Sequence, residues 1–174
     1  MVDWTIRNAE SNDALGIAKV HVLTWQTAYK GLIPDSYLQA LSIDKRTESW
    51  AQQLNTLADG TGYLVAESAG EIIGFATVGK GGDDDSSKDN GELYAIYVHP
   101  DRQGIGIGNS LHQAGIDFLK SEYFKTATLW VLEANHASRR WYESRGWQIE
   151  GALKVEDRGS FQLHEIRYLL DLNN

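Results

Sequence analysis

The chain has 174 residues, 42% of them hydrophobic and 23% charged, a length and balance that suit one domain with one sizeable core. Its formal net charge of -8 disfavours a phosphate backbone as partner, so no nucleic acid is expected; it fits a cationic acceptor, and it serves solubility equally well. The absence of cysteine excludes disulfides, thiolate metal sites and any acyl-cysteine intermediate.

No apolar run approaches the roughly 20 residues needed to span a bilayer, and MVDWTIRNAESND lacks the apolar stretch of a signal peptide. No membrane partner is expected, and the expected location is the cytoplasm. Residues 4–9 alternate and predict a strand. Ser11 or Asn12 is placed to cap a helix running to about Tyr29, with Leu15, Ala18, Val22, Trp25 and Tyr29 as its inner face. Pro34 opens a short helix over 34–41, and an amphipathic helix follows over 43–58 with Trp50 and Leu54 on one face. Residues 62–67 and 71–79 predict a hairpin around Ser68-Ala69-Gly70. Residues 80–90, KGGDDDSSKDN, read as a flexible loop with solvated aspartates, because they lack calcium-loop spacing. A strand over 91–99 stops at Pro100. It is followed by a helix over 106–121, a strand over 126–132, a helix over 135–145 closed by Gly146, and strands over 147–153 and 160–171. That order predicts an α+β, or mixed α/β, domain covering 1–174.

The most informative stretch is VHPDRQGIGIGN, residues 98–109, where a strand ends, three glycines alternate with isoleucines and a helix begins. Glycine lets a backbone approach a ligand closely, and the unpaired N–H groups of a helix start form an anion site. A pyrophosphate fits such a site; a tight turn with no ligand is the other reading. Asn109 stands where GxGxxG requires its last glycine, and GxxxxGK[ST] is absent, so neither common nucleotide pattern is met.

Gln103-x-x-Gly106-x-Gly108 resembles the [QR]-x-x-G-x-[GA] signature of the GNAT acetyltransferases. GELYAIYVHP before it is similar to that family's fourth strand, and LWVLEANHASRRWYESRGW after it resembles the family's next strand and helix. HVLTWQTAYKGLIPDSYL is more weakly similar to a branch that includes polyamine and other small-amine acetyltransferases. The resemblance implies a GNAT-like fold, a central mostly antiparallel sheet of about six or seven strands flanked by about four helices. It implies acetyl-CoA as co-substrate, with the pyrophosphate held by the backbone from Gln103 through Gly104, Ile105, Gly106, Ile107 and Gly108 to Asn109. The strand around Ile96, Tyr97 and Val98 would hold the pantetheine arm and Asn135 would bond to it, with Tyr142 near the sulfur and Glu92 as general base. Similar proteins commonly dimerise; the chain itself carries no signal for it.

The chemistry fits these residue types. An alkyl amine has a pKa near 10.4, so freeing it for attack at neutral pH costs about 4–5 kcal/mol, and a carboxylate base helps. Glu92 lies about 13 Å before Ile96 along an extended strand, which requires a water relay. Tyr94 is the alternative polar group on the same side if alternation holds. A backbone N–H near Ile96 would face the developing oxyanion if the strand splays there. Tyr142 would protonate the departing thiolate; its other reading is a core aromatic beside Trp141. Trp25, Tyr29 and Ile33 frame an acceptor pocket or belong to the ordinary core. No pair among the five histidines has zinc spacing, so no metal is expected. The reaction expected is direct acetyl transfer to a primary amine of a small cationic molecule in a ternary complex. A protein N-terminus as acceptor, a non-catalytic acyl-CoA-binding module and a nucleotide-dependent enzyme remain open.

Overall fold

The computed structural model describes residues 3–56 and 59–173. In chain order its elements are β1 (Thr5–Asn8), α1 (Ala14–Ala28), α2 (Asp35–Gln39), α3 (Ile43–Asn55), β2 (Gly62–Ser68), β3 (Glu71–Lys80), β4 (Asn90–Val98), α4 (Ile107–Ser121), β5 (Thr126–Leu132), α5 (His136–Glu143), β6 (Gln148–Asp157) and β7 (Gln162–Asp171). The strands form one seven-stranded sheet in the order β1-β2-β3-β4-β5-β7-β6. Every neighbouring pair is antiparallel except β4 and β5. This is the expected mixed α/β arrangement.

Alternation along β3 decides which helix covers which face. Phe75 points into a cluster with Ile17, Val20 and Trp50 of α1 and α3, while Ala76 joins Ile107 and Leu111 of α4. A third cluster joins Leu129 and Val131 of β5 to Tyr168 of β7 and to Trp147, with Tyr142 packed against it.

Four local expectations are corrected. Leu15 is 47% exposed, and Ile17 and Val20 take its place in the core, because α1 is covered by α3 as well as by the sheet. The segment before α1 is a single 3₁₀ turn, Ser11–Asp13, closed by a reciprocal pair of bonds between Glu10 and Asp13 rather than capped by Ser11 or Asn12. β6 runs four residues past 153, because Lys154–Asp157 pair with Gln162–Glu165 as a polar edge strand that reads as loop. The helix expected over 43–58 ends at Asn55, and positions 57 and 58 lie outside the described residues.

Candidate active site

β4 keeps β3 as its partner all the way to Val98, but β5 accompanies it only from Asn90 to Glu92, opposite Thr126–Thr128. Beyond Glu92 the two strands diverge, as the expected splay requires. The backbone N–H of His99 donates to Ile73 on the β3 side, so by antiparallel alternation Ile96 and Val98 turn their polar groups toward the gap. The Val98 carbonyl is taken there by the Thr24 hydroxyl at 3.2 Å and the Gln103 amide at 3.1 Å. The groups of Ile96 and the Val98 N–H face the gap with no strand beside them, an edge that can accept an extended ligand. A cavity of about 750 Å³ opens at this edge.

One end of the cavity is the glycine turn. Gly104 and Gly106 have φ of +80° and +102°, the left-handed region where a side chain is strained. Gly106 is also the N-cap of α4, so no side chain caps that helix, whereas Ser42 closes the first turn of α3 and Asn135 that of α5. The first N–H groups of α4 are therefore left open, and the helix dipole adds partial positive charge. Gln103, Gly104, Gly106, Gly108 and Asn109 line the cavity, with Arg102 and Arg145 beside them. Ile105 is 44% exposed and Ile107 is 1% exposed in the core, so neither side chain is part of the lining. The Arg145 guanidinium lies 3.6 Å over the Trp141 ring and donates to Asn109. Arg102, Arg145 and Trp141 escaped the sequence reading, having no spacing of their own.

Asn135 and Tyr142 both line the cavity. The Asn135 side-chain oxygen accepts from the Ser138 N–H at 3.1 Å, which leaves its amide hydrogens to donate elsewhere. Tyr142 sits edge-on to Trp141 and Trp147 at 5.1 and 6.1 Å. Burial pushes its phenol well above the ordinary value, and the nearby Tyr97 phenol adds to this, so it stays protonated at neutral pH.

Trp25, Tyr29 and Ile33 line the same cavity, and the rings of Trp25 and Tyr29 meet edge-on at 4.9 Å. Tyr97, expected on the coenzyme arm, turns its ring onto His21 and Phe75 at 5.4 Å each, and its phenol lies beside those of Tyr29 and Trp25's indole. A bulge changes the relation between Glu92 and Tyr94. Leu93 stands opposite Val78 and Ala95 opposite Thr77, so Tyr94 is an extra residue and the alternation between the two fails. Tyr94 lines the cavity, donates to the Lys80 carbonyl, and is pushed up to about 12 by burial and the Glu92 charge. Glu92 is not part of the lining; its carboxylate accepts from the Gly82 N–H at 3.0 Å. Burial, then the charge of Asp83, raises its pKa, against that hydrogen bond.

The loop between β3 and β4 is not the solvated segment expected. Asp83 and Asp85 hold Arg167 at 3.1 and 2.6 Å, with Glu150 at 3.0 Å, and Asp83 also accepts from the Trp130 indole. Trp130, Glu156, Arg158, Leu163 and Glu165 complete the cavity wall, and the sequence reading found none of them. Burial raises the Glu165 carboxyl. Among the described residues no three His, Asp or Glu side chains gather into a group that would hold a metal ion. No helix among them is long and apolar enough to cross a membrane.

The model of the acetyltransferase (GNAT) family matches residues 23–147. The chain belongs to the acetyltransferase (GNAT) family. As a GNAT member it is an acetyl-CoA-dependent N-acetyltransferase. It is 36% identical over 132 residues to an uncharacterized N-acetyltransferase, YuaI, of Bacillus subtilis, covering 75% of this chain and 73% of that one. Over 100 residues it is 33% identical to a mycothiol acetyltransferase of Acidimicrobium ferrooxidans, which is 58% of this chain but only 32% of that longer protein. The GNAT fold is shared with a PaiA N-acetyltransferase of Thermoplasma acidophilum solved with coenzyme A, at TM-score 0.75, 18% identity and coverage of 97% and 99%. It is also shared with YncA of Salmonella typhimurium, a putative acetyltransferase solved with acetyl-CoA, at TM-score 0.72, 23% identity and coverage of 99% and 95%.

Proposed function

We propose that the protein moves acetyl from acetyl-CoA directly to a primary amine of a small cationic acceptor, both substrates being bound together. The observation that carries this is one cavity joining an uncapped helix start, an opened strand edge and an aromatic pocket, in a chain with no cysteine to carry the acyl group. The donor end fits acetyl-CoA: the α4 N–H groups with Arg102 and Arg145 suit the phosphates, the Ile96–Val98 edge and the Asn135 amide suit the pantetheine arm. The Ile96 N–H then faces the thioester oxygen as charge grows on it.

The proton account needs three groups. The ammonium loses one proton before attack, and Glu92 takes it through a water relay, since its carboxylate does not line the cavity. The amine nitrogen bonds to the carbonyl carbon, the carbon–sulfur bond breaks, and Tyr142 gives the thiolate its proton. The second proton on nitrogen passes to solvent and Tyr142 is reprotonated from it.

A panel of amines assayed for acetyl-CoA-dependent thiol release tests this. Turnover is expected with cationic primary amines, and Tyr142→Phe is expected to lower kcat on the order of 100-fold with acetyl-CoA affinity nearly unchanged. Glu92→Gln should remove the alkaline-rising limb of the rate profile; an unchanged profile removes Glu92 as base. Binding of acetyl-CoA with no thiol release on any amine would make the protein a binding module instead.

A further inference from the structure

Glu165 stands on β7 between Leu132 of β5 and Lys154 of β6. Leu163, Glu165 and Arg167 share one face of that strand. Leu163 packs into an apolar cluster with Ile33 and Leu132, and Arg167 is claimed by Asp83, Asp85 and Glu150. Glu165 between them joins neither the apolar cluster nor the Arg167 network. Its side chain is 21% exposed, its ion partner is the Lys154 ammonium at 3.9 Å, and among the described residues no hydrogen bond to its side chain is found. Asp13 shows what a structural carboxylate of this fold looks like: Arg7 holds it at 2.7 Å and the Glu10 N–H closes on it at 2.7 Å. A largely buried carboxylate whose ion partner stands beyond hydrogen-bond distance is an exception that a ligand would explain.

Its place in the cavity indicates which ligand. Glu165 lines the cavity together with Tyr29, Tyr97 and Tyr142, and its charge bears on the phenols of Tyr29 and Tyr97. The rings of Trp25, Tyr29 and Trp130 line the same space. A carboxylate among aromatic faces suits a cation. Arg158 in the cavity wall is already paired with Glu156 at 2.9 Å, and Arg167 with its three carboxylates, so this part of the wall offers little to an anion.

We propose that Glu165 is a specificity-determining residue that binds a second ammonium group of the acceptor, remote from the amine that receives acetyl, so that the preferred substrates are diamines. This rests on the acetyl-transfer reading above.

The test compares a primary monoamine with the α,ω-diamine of the same chain length, as a ratio of kcat/KM. The wild type is expected to favour the diamine by at least about tenfold, a charged hydrogen bond contributing at that level. In Glu165→Gln the ratio should fall to within about threefold, through KM for the diamine, while KM for acetyl-CoA is unchanged. That last value also shows that the variant is folded. Lys154→Met removes the cation that competes for Glu165 and is expected to raise the ratio; this variant on the exposed edge strand decides the matter should Glu165→Gln not fold. Turnover by the wild type with no diamine preference overturns the assignment, as does a ratio that neither variant moves. No turnover with either amine fails the acetyl-transfer reading itself, and is seen in the wild type alone.

Discussion

The two ends of the cavity are built on different plans. The end proposed for acetyl-CoA is largely continuous in the chain: strand, turn and helix start all fall within Ile96–Asn109 and present backbone groups, with the side chains of Asn135 and Arg145 added beside them. The end proposed for the amine is assembled from α1, β5 and β7, with the β3–β4 loop drawn in by Asp83, and it presents side chains. A backbone device needs only the right φ angles and an open helix end, so its sequence trace is compact. A side-chain device needs charges brought together across more than eighty positions, as Asp83 and Asp85 are to Arg167. The comparison can be broken at either end.

The largest effect is expected at the acceptor end. Arg167 is 8% exposed on its side chain and satisfies three carboxylates at once. Arg167→Met leaves them facing one another and releases the loop whose Gly82 N–H holds Glu92. Unfolding in urea is expected to show a loss of about 2 kcal/mol, the partners' exposure tempering the cost of breaking a buried pair. KM for the amine should rise while KM for acetyl-CoA stays, because the donor end shares none of these groups. Equal changes in both KM values would show that the two ends are one unit.

At the donor end, two glycines separate conformation from ligand approach. Gly106→Ala forces a side chain to φ +102°, at a cost of about 1–2 kcal/mol, and coenzyme binding weakens with it. Gly108 lies in the regular first turn of α4, and a Cβ there would meet Trp141 at 3.5 Å and Val98 at 3.8 Å, ordinary contact distances. Gly108→Ala is therefore expected to leave stability unchanged or raise it by up to about 1 kcal/mol, and still to weaken acetyl-CoA binding by intruding on the phosphate. Calorimetric titration decides it: wild-type affinity in Gly108→Ala would mean that no phosphate approaches that backbone.

The same division governs what was legible. The seven strands and the helices of the sheet's two faces were readable from period and punctuation, because each rests on residues close in sequence. Gln103-x-x-Gly106-x-Gly108, Asn135 and Tyr142 were singled out by the resemblance to the GNAT acetyltransferases, and all line the cavity. Trp25 and Tyr29, at helical spacing, and Ile33 beyond that helix were expected to frame an acceptor pocket or belong to the core, and all three lie in it too. Glu165 was not, because a glutamate among alternating strand residues carries no mark of what faces it. Asp83 and Asp85 were misread as solvated because Arg167 lies more than eighty residues away. The relation of Tyr94 to Glu92 failed on a single bulge, which no local pattern announced.

The smallest effect separates the two ends by pH. His112 on α4, behind the donor end, is 8% exposed and accepts from the Trp147 indole at 2.9 Å. Burial, then the charge of Arg145, pushes it down to about 4. Between its unfolded value near 6.5 and about 4, the unfolded chain binds the proton that the folded one refuses, so stability present above pH 6.5 is lost as pH falls. Glu92 and Glu165 act in the opposite sense: burial raises both, the folded state binds protons first, and acidification stabilises it there. Over the first unit below 6.5, His112→Gln is expected to recover about 1 kcal/mol relative to wild type, since glutamine can accept the Trp147 bond without a charged form to desolvate. Glu165→Gln removes that opposing contribution and is expected to make the loss on acidification steeper than in the wild type. Urea unfolding at pH 6.5 and 5.5 measures the first and a series carried to lower pH the second, and parallel curves for all three proteins would mean that neither end's titration reaches the folding equilibrium.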